Sequence, residues 1–162
     1  MSSPRVGMKR RSVGKRSGVA EETMDTKAQI DALNHALRLQ LRSALQYALT
    51  AGTITGFEYQ GLAGHLALFA TAELDDARRL AEKVTALGGD PVHEAAPPRF
   101  HAGVKESVDW LVESESEALQ ALQDAIEPTG REAASEAVEH RLEHIIMRKQ
   151  EQVDVLLRAR RA

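Results

Sequence analysis

Six polar side chains stand where helical spacing calls for apolar ones: Gln40, Glu73, Asp76, Glu115, Lys149 and Gln152. Their types suit either a metal centre or a buried ion-pair network. Glu73, Asp76 and Glu115 are hard oxygen donors of the kind that hold Fe, Mn or Zn. Lys149 adds a positive charge to the same set, and Gln40 and Gln152 can each donate and accept hydrogen bonds. Unpaired carboxylates in a low-dielectric interior cost several kcal/mol each as an order of magnitude. A layer built from these residues is therefore a metal site or the remains of one.

Each of the six interrupts an apolar stripe of helical period. The first stripe reads Ile30, Leu33, Leu37, Gln40, Ala44, Tyr47, and the second Leu62, Leu66, Phe69, Glu73, Asp76, Leu80, Val84, Leu87. The third reads Val104, Val108, Leu111, Glu115, Ala118, Leu122, and the fourth Val138, Leu142, Ile145, Lys149, Gln152, Leu156. Four helices packed side by side would bring all the interruptions to one level. Lys149 set against Glu73, Asp76 and Glu115 leaves that level at a formal −2, to be met by protonation of Asp76 or Glu115, by partial exposure or by one bound cation.

The 162 residues suffice for one domain with a core of its own. The chain has no cysteine, which excludes disulfides, thiolate metal sites and thiol nucleophiles and fits a reducing, cytoplasmic setting. No apolar run approaches the roughly 18 to 20 residues that span a bilayer, so no membrane association is expected. No Ser/His/Asp order or glycine-rich phosphate loop stands out. The net charge of −3 is unevenly placed, with Arg5, Lys9, Arg10, Arg11, Lys15 and Arg16 all ahead of the first acid, Glu21. Residues 1–24 read as a basic mobile tail, and residues 1–23 as a potential electrostatic arm for nucleic acid. Met8 and Met24 offer alternative starts within that segment.

Residues 25–162 read as the bundle. Thr26 with Gln29, Thr55 with Glu58, and Thr129 with Glu132 read as capping boxes that open the first, second and fourth helices. Gly52 ends the first helix and Gly88-Gly89 the second, while the third runs to about Ile126. Pro91, Pro97 and Pro98 forbid a helix between Gly88 and Gly103, and this extended segment can reach up to about 50 Å. That suffices to carry the chain back along the bundle and set the third helix parallel to the second. Short loop, long crossover, short loop predicts an all-α, ferritin-like four-helix bundle with its crossover between the second and third helices.

The segments ALQYAL in the first helix and AELDDARRLAEKVTALGGDP in the second resemble the ferritin and bacterioferritin superfamily, and the likeness spans residues 28–157. The resemblance implies a di-iron centre built from a Glu on the first helix, Glu-x-x-His on the second, a Glu on the third and Glu-x-x-His on the fourth. The corresponding positions are Gln40, Glu73 and Asp76, Glu115, and Lys149 and Gln152. Gln40, Lys149 and Gln152 depart from that pattern, and Lys149 is the decisive departure: an ammonium sits where a metal-bridging carboxylate is implied. The resemblance places Leu74 at the haem-ligating Met of bacterioferritins, so no haem is expected.

The leading expectation is a bundle with a vestigial centre and no cofactor, acting as a structural, binding or assembly subunit rather than an enzyme. One alternative is an iron-binding, iron-storage or ferroxidase-type protein with a single Fe, Mn or Zn ion on Glu73, Asp76 and Glu115. Another is a DNA-associated relative working through its basic tail. The resemblance also implies a homo-oligomer, a dimer or larger. Outside the layer, His140 and His144 with Glu143 have chelating spacing on the fourth helix, His65 reads as a bundle-edge residue, and His93 and His101 belong to the crossover. Tyr47 reads as core or as a redox neighbour of a metal, and Trp110 as an exposed edge or a subunit contact.

Overall fold

The computed structural model describes residues 25–161. Four long helices carry the stripes: α1 is Thr26–Thr53, α2 Gln60–Ala86, α3 Val104–Ile126 and α4 Ala133–Arg160, with one 3-10 turn at Phe57–Tyr59 before α2. Among the described residues there is no strand. Helices α1 and α2 pack as a hairpin, α1 also packs on α3, and α3 and α2 each pack on α4. The bundle therefore has α1 diagonal to α4 and α2 diagonal to α3. The tail expected at residues 1–24 lies outside the described residues.

The crossover is held by two amide side chains of α1. Asn34 donates to the Asp90 carbonyl and accepts from the Val92 amide, both at 3.0 Å. Three turns on, Gln46 donates to the Arg99 carbonyl at 2.7 Å and accepts from the Arg99 amide at 2.9 Å. Between them the Ala96 amide donates to the Arg38 carbonyl. The strap thus runs in the same direction as α1 and delivers the chain to the far end of the bundle. There α3 starts antiparallel to α1 and parallel to α2, as the length of the proline-rich segment predicts. Gln46→Ala should cost about 1–3 kcal/mol by stripping both bonds from the Arg99 backbone. It should also speed amide hydrogen exchange around residues 96–103 while leaving the centre of α4 protected.

The helix starts differ from the capping boxes expected. Asp25, one residue earlier than Thr26, caps α1 by accepting from the Ala28 amide at 3.1 Å. Gln29 is drawn instead to the end of α3, where it donates to the Ala125 carbonyl at 2.7 Å. Thr55 and Glu58 do not cap α2: Gly56, at φ 104°, opens the 3-10 turn, and Gln60 donates to the Ile54 and Gly56 carbonyls. Thr129 donates to the Ile126 carbonyl behind it, and α4 begins after Glu132 without a side-chain cap bond from that residue. At the end of α2 the sequence signal holds. Gly88 takes the left-handed φ of 85°, and the Gly89 amide returns to the Val84 carbonyl, so α2 closes where glycine tolerates the conformation.

The apolar stripes do not merge into one core. Leu33, Leu37, Leu80, Val84, Leu122, Val138, Leu142 and Ile145 fill one end, and Tyr47, Leu66, Val108, Leu111 and Leu156 fill the other. The six interrupting residues belong to neither cluster. A polar layer divides the bundle core.

Candidate metal centre: the buried polar layer

All six layer residues are buried, none more than 5% exposed. Glu73 and Asp76 lie one turn apart on α2, with Glu115 on α3, Gln40 on α1, and Lys149 and Gln152 one turn apart on α4. The Lys149 ammonium sits between the two glutamates, with Nζ 2.8 Å from Glu73 Oε2 and 2.7 Å from Glu115 Oε2. From α4 it bridges α2 and α3, which lie diagonally across the bundle. Gln40 donates to the Glu73 carbonyl oxygen at 3.1 Å and to its carboxylate, and Ser43 donates to Glu115.

Asp76 takes a different partner. Arg148 pairs with its carboxylate and donates to the Ala72 carbonyl at 3.0 Å, crossing the seam between α2 and α4. Neither Arg148 nor Ser43 was anticipated from the sequence. Arg148 adds a second cation to the layer and changes the −2 counted from the stripes to a formal −1. It precedes Lys149 and so points about 100° away from the apolar stripe, and only the reach of its side chain brings the guanidinium inward. Ser43, one turn after Gln40 on α1, had the spacing that could have revealed it.

The electrostatics follow from burial. Desolvation is the main influence on Glu73. Lys149 and Arg148 partly offset it, Glu115 adds to it, and the carboxyl pKa rises from its ordinary 4.5 to about 7. For Lys149 burial disfavours the charge, but the Glu115 and Glu73 carboxylates outweigh it, and its pKa lies above the ordinary 10.5. At neutral pH the layer therefore holds Lys149 charged, Arg148 on Asp76, and Glu73 near half protonation. Such an arrangement is close to neutral without a further ion. Glu73 Oε1, Asp76 Oδ1, Gln40 Oε1 and Gln152 Oε1 have no hydrogen-bond partner among the described residues.

Tyr47 belongs to the apolar cluster beneath the layer, its ring edge-on to Phe69 at 5.5 Å. Burial and the charges of Glu115 and Glu73 push its hydroxyl pKa well up. His65 lies exposed at the bundle edge, as expected. His140, Glu143 and His144 are exposed on α4, and among the described residues no three His, Cys, Asp or Glu side chains are grouped to hold a metal ion. Trp110 contradicts the expectation of an exposed edge. It is buried beneath the crossover, with the Arg99 guanidinium over its ring at 4.4 Å, because the strap covers the flank of α3 that periodicity reads as open. Leu74 stands exposed on α2 and lines an apolar groove with Leu37, Leu41 and Val92. No described helix is long and apolar enough to cross a membrane.

Three solved structures share the architecture. A ferritin-like di-iron carboxylate protein from Bacillus anthracis is similar at 25% identity with a TM-score of 0.77, over 84% of this chain and 97% of that one. The bacterioferritin of Rhodobacter capsulatus, solved with a metal-free dinuclear site and haem iron, is similar at 23% identity and TM-score 0.73, over 85% and 86%. A dodecameric, bacterioferritin-related thioferritin from Bacteroides fragilis is similar at 21% identity and TM-score 0.75, over 88% and 91%. No curated protein matches the chain. The ferritin-like domain family matches residues 30–158. With its four helices, long crossover and midlevel polar layer, the chain belongs to the ferritin-like family.

Proposed function

We propose that the polar layer is a vestigial di-iron centre in which Lys149 replaces the metal charge, and that the chain acts as a structural, binding or assembly subunit of a homo-oligomer. The observation that carries this reading is the Lys149 ammonium within hydrogen-bonding distance of both Glu73 and Glu115, at 1% exposure. An ammonium offers protons rather than lone pairs, so the space where two carboxylates would share metal is taken by their counter-ion. Asp76 is likewise committed, to Arg148. The donor set does not fit a two-metal centre, since Gln40, Lys149 and Gln152 supply neither anion nor imidazole.

Self-association is supported by the apolar α1–α2 face. Leu45 and Leu74 are exposed there, and two grooves of about 610 and 450 Å³ adjoin them. The dodecameric relative shows that a related bundle assembles. Haem has no place in this reading because Leu74 carries no ligating atom.

The competing reading is one divalent cation that draws Glu73, Asp76 and Glu115 together from an arrangement in which they are not grouped around one point, and the open Glu73 Oε1 and Asp76 Oδ1 atoms favour it. Thermal unfolding with and without added Fe(II), Mn(II) or Zn(II) separates the two, because a ligand that binds only the folded chain raises its melting temperature with concentration. The vestigial reading predicts an unchanged midpoint. A concentration-dependent rise that Glu73→Gln abolishes would establish the cation site instead.

A further inference from the structure

The crossover builds a second polar site on the flank of α1 and α3, one that shares no side chain with the layer. Gln46 fixes the backbone of Arg99 from both sides, and the Arg99 guanidinium then lies 4.4 Å from the centre of the Trp110 ring. The Arg42 guanidinium, from α1, is 5.5 Å from the same ring, and the His101 ring is 6.1 Å from it. Two guanidiniums and an imidazole thus share one corner with the indole. Arg42 and Trp110 are each only 6% exposed.

The donors in this corner are not used up. Arg42 gives Nη2 to the Ser114 carbonyl at 3.3 Å and to the Glu117 carboxylate at 3.1 Å, but its Nε has no partner among the described residues. Trp110 Nε1 and His101 Nε2 are buried and likewise without a partner there. Arg99 has no ion-pair partner among the described residues. Among the described residues Glu117 is the only acid paired with either guanidinium, and its side chain is 56% exposed, so the corner keeps a net positive charge. Native proteins rarely leave buried donors unspent.

Beside these groups lies a cavity of about 170 Å³, lined by Arg99 and His101 together with Leu49, Thr50, Pro98 and Phe100. Water would satisfy the donors, but it would neither balance the charge nor favour an apolar wall. An inorganic oxyanion would balance the charge but gain nothing from Leu49, Pro98 and Phe100. A ligand with both a carboxylate and a small apolar body matches the Arg99 and His101 side of the cavity together with its apolar wall. We propose that the cavity lined by Arg99 and His101, beside Arg42 and Trp110, binds a short monocarboxylate, its carboxylate facing the Arg99 guanidinium and its tail against Leu49, Pro98 and Phe100.

Trp110 is the sole tryptophan, so its emission reports this site directly. The test titrates pentanoate into the full chain, with pentanol and inorganic phosphate in parallel, on wild type and on Arg99→Gln. That variant keeps the backbone clamp to Gln46, and an unchanged melting temperature confirms its fold. The expected result is a saturable emission change with pentanoate, absent with pentanol and weaker with phosphate. In Arg99→Gln the affinity should fall by about tenfold or more, the loss of one charge-assisted contact. No saturable change, an equal response to pentanol, a stronger response to phosphate, or undiminished affinity in Arg99→Gln would each overturn the proposal.

Discussion

Replacing Lys149 with Met should lower the free energy of unfolding by about 3–5 kcal/mol, because it removes the cation and leaves Glu73 and Glu115 facing each other in a dry core. The substitution nearly conserves volume, so a packing defect contributes little. Against a typical total of about 5–15 kcal/mol for a domain, this is one of the largest effects a single change here can have. Denaturant unfolding in the presence of a chelator measures it. Adding Glu73→Gln and Glu115→Gln to Lys149→Met should recover much of the loss, since an uncharged network leaves no ion without a partner. Equal stability of Lys149→Met and wild type under these conditions would contradict the salt-bridge account.

A second large effect belongs to pH and is opposite in sign to that of an ordinary paired carboxylate. The folded-state pKa of Glu73 is raised from 4.5 to about 7, so the folded chain holds a proton that the unfolded chain releases. Stability from this residue is present below pH 4.5, declines as pH rises from about 4.5 to 7, and levels off above. At about 1.4 kcal/mol per pH unit, that interval is worth about 3 kcal/mol. Wild type compared with Glu73→Gln by urea unfolding at pH 5 and pH 8 isolates the effect, because the contributions of other groups largely cancel in the difference. Wild type should lose stability relative to the variant on going from pH 5 to pH 8. A difference independent of pH would show that Glu73 is ionised throughout. Lys149, with its pKa raised above 10.5, contributes stability that is complete below that pH and disappears only at stronger alkalinity.

The layer itself was legible in the sequence because helical period is a strict geometric signal. Gln40, Glu73, Asp76, Glu115, Lys149 and Gln152 each break an apolar stripe, and each is buried at one level of the bundle. The crossover was legible for a similar reason: Pro91, Pro97 and Pro98 exclude a helix, and its length matched the return path. What periodicity does not convey is reach. Arg148 stands off the stripe by its Cα position, yet its long side chain crosses the α2–α4 seam to Asp76. Nor does it convey cover supplied from a distance in sequence. Trp110 sits on the flank of α3, and only the strap pinned by Gln46 buries it. The caps failed through local competition. Asp25 stands beside Thr26 and took the capping role, while Gln29 found a better acceptor at the far end of α3.

The vestigial centre stands or falls on whether iron has any use for this layer. The direct measurement is metal content by mass spectrometry on untagged protein purified without chelator, followed by Fe(II) challenge in air with oxygen uptake recorded. The account predicts protein without stoichiometric metal and oxygen uptake no faster than Fe(II) in buffer. Near-stoichiometric metal, or oxygen uptake that depends on the protein and is lost in Glu73→Gln, would contradict it and make Glu73, Asp76 and Glu115 working ligands.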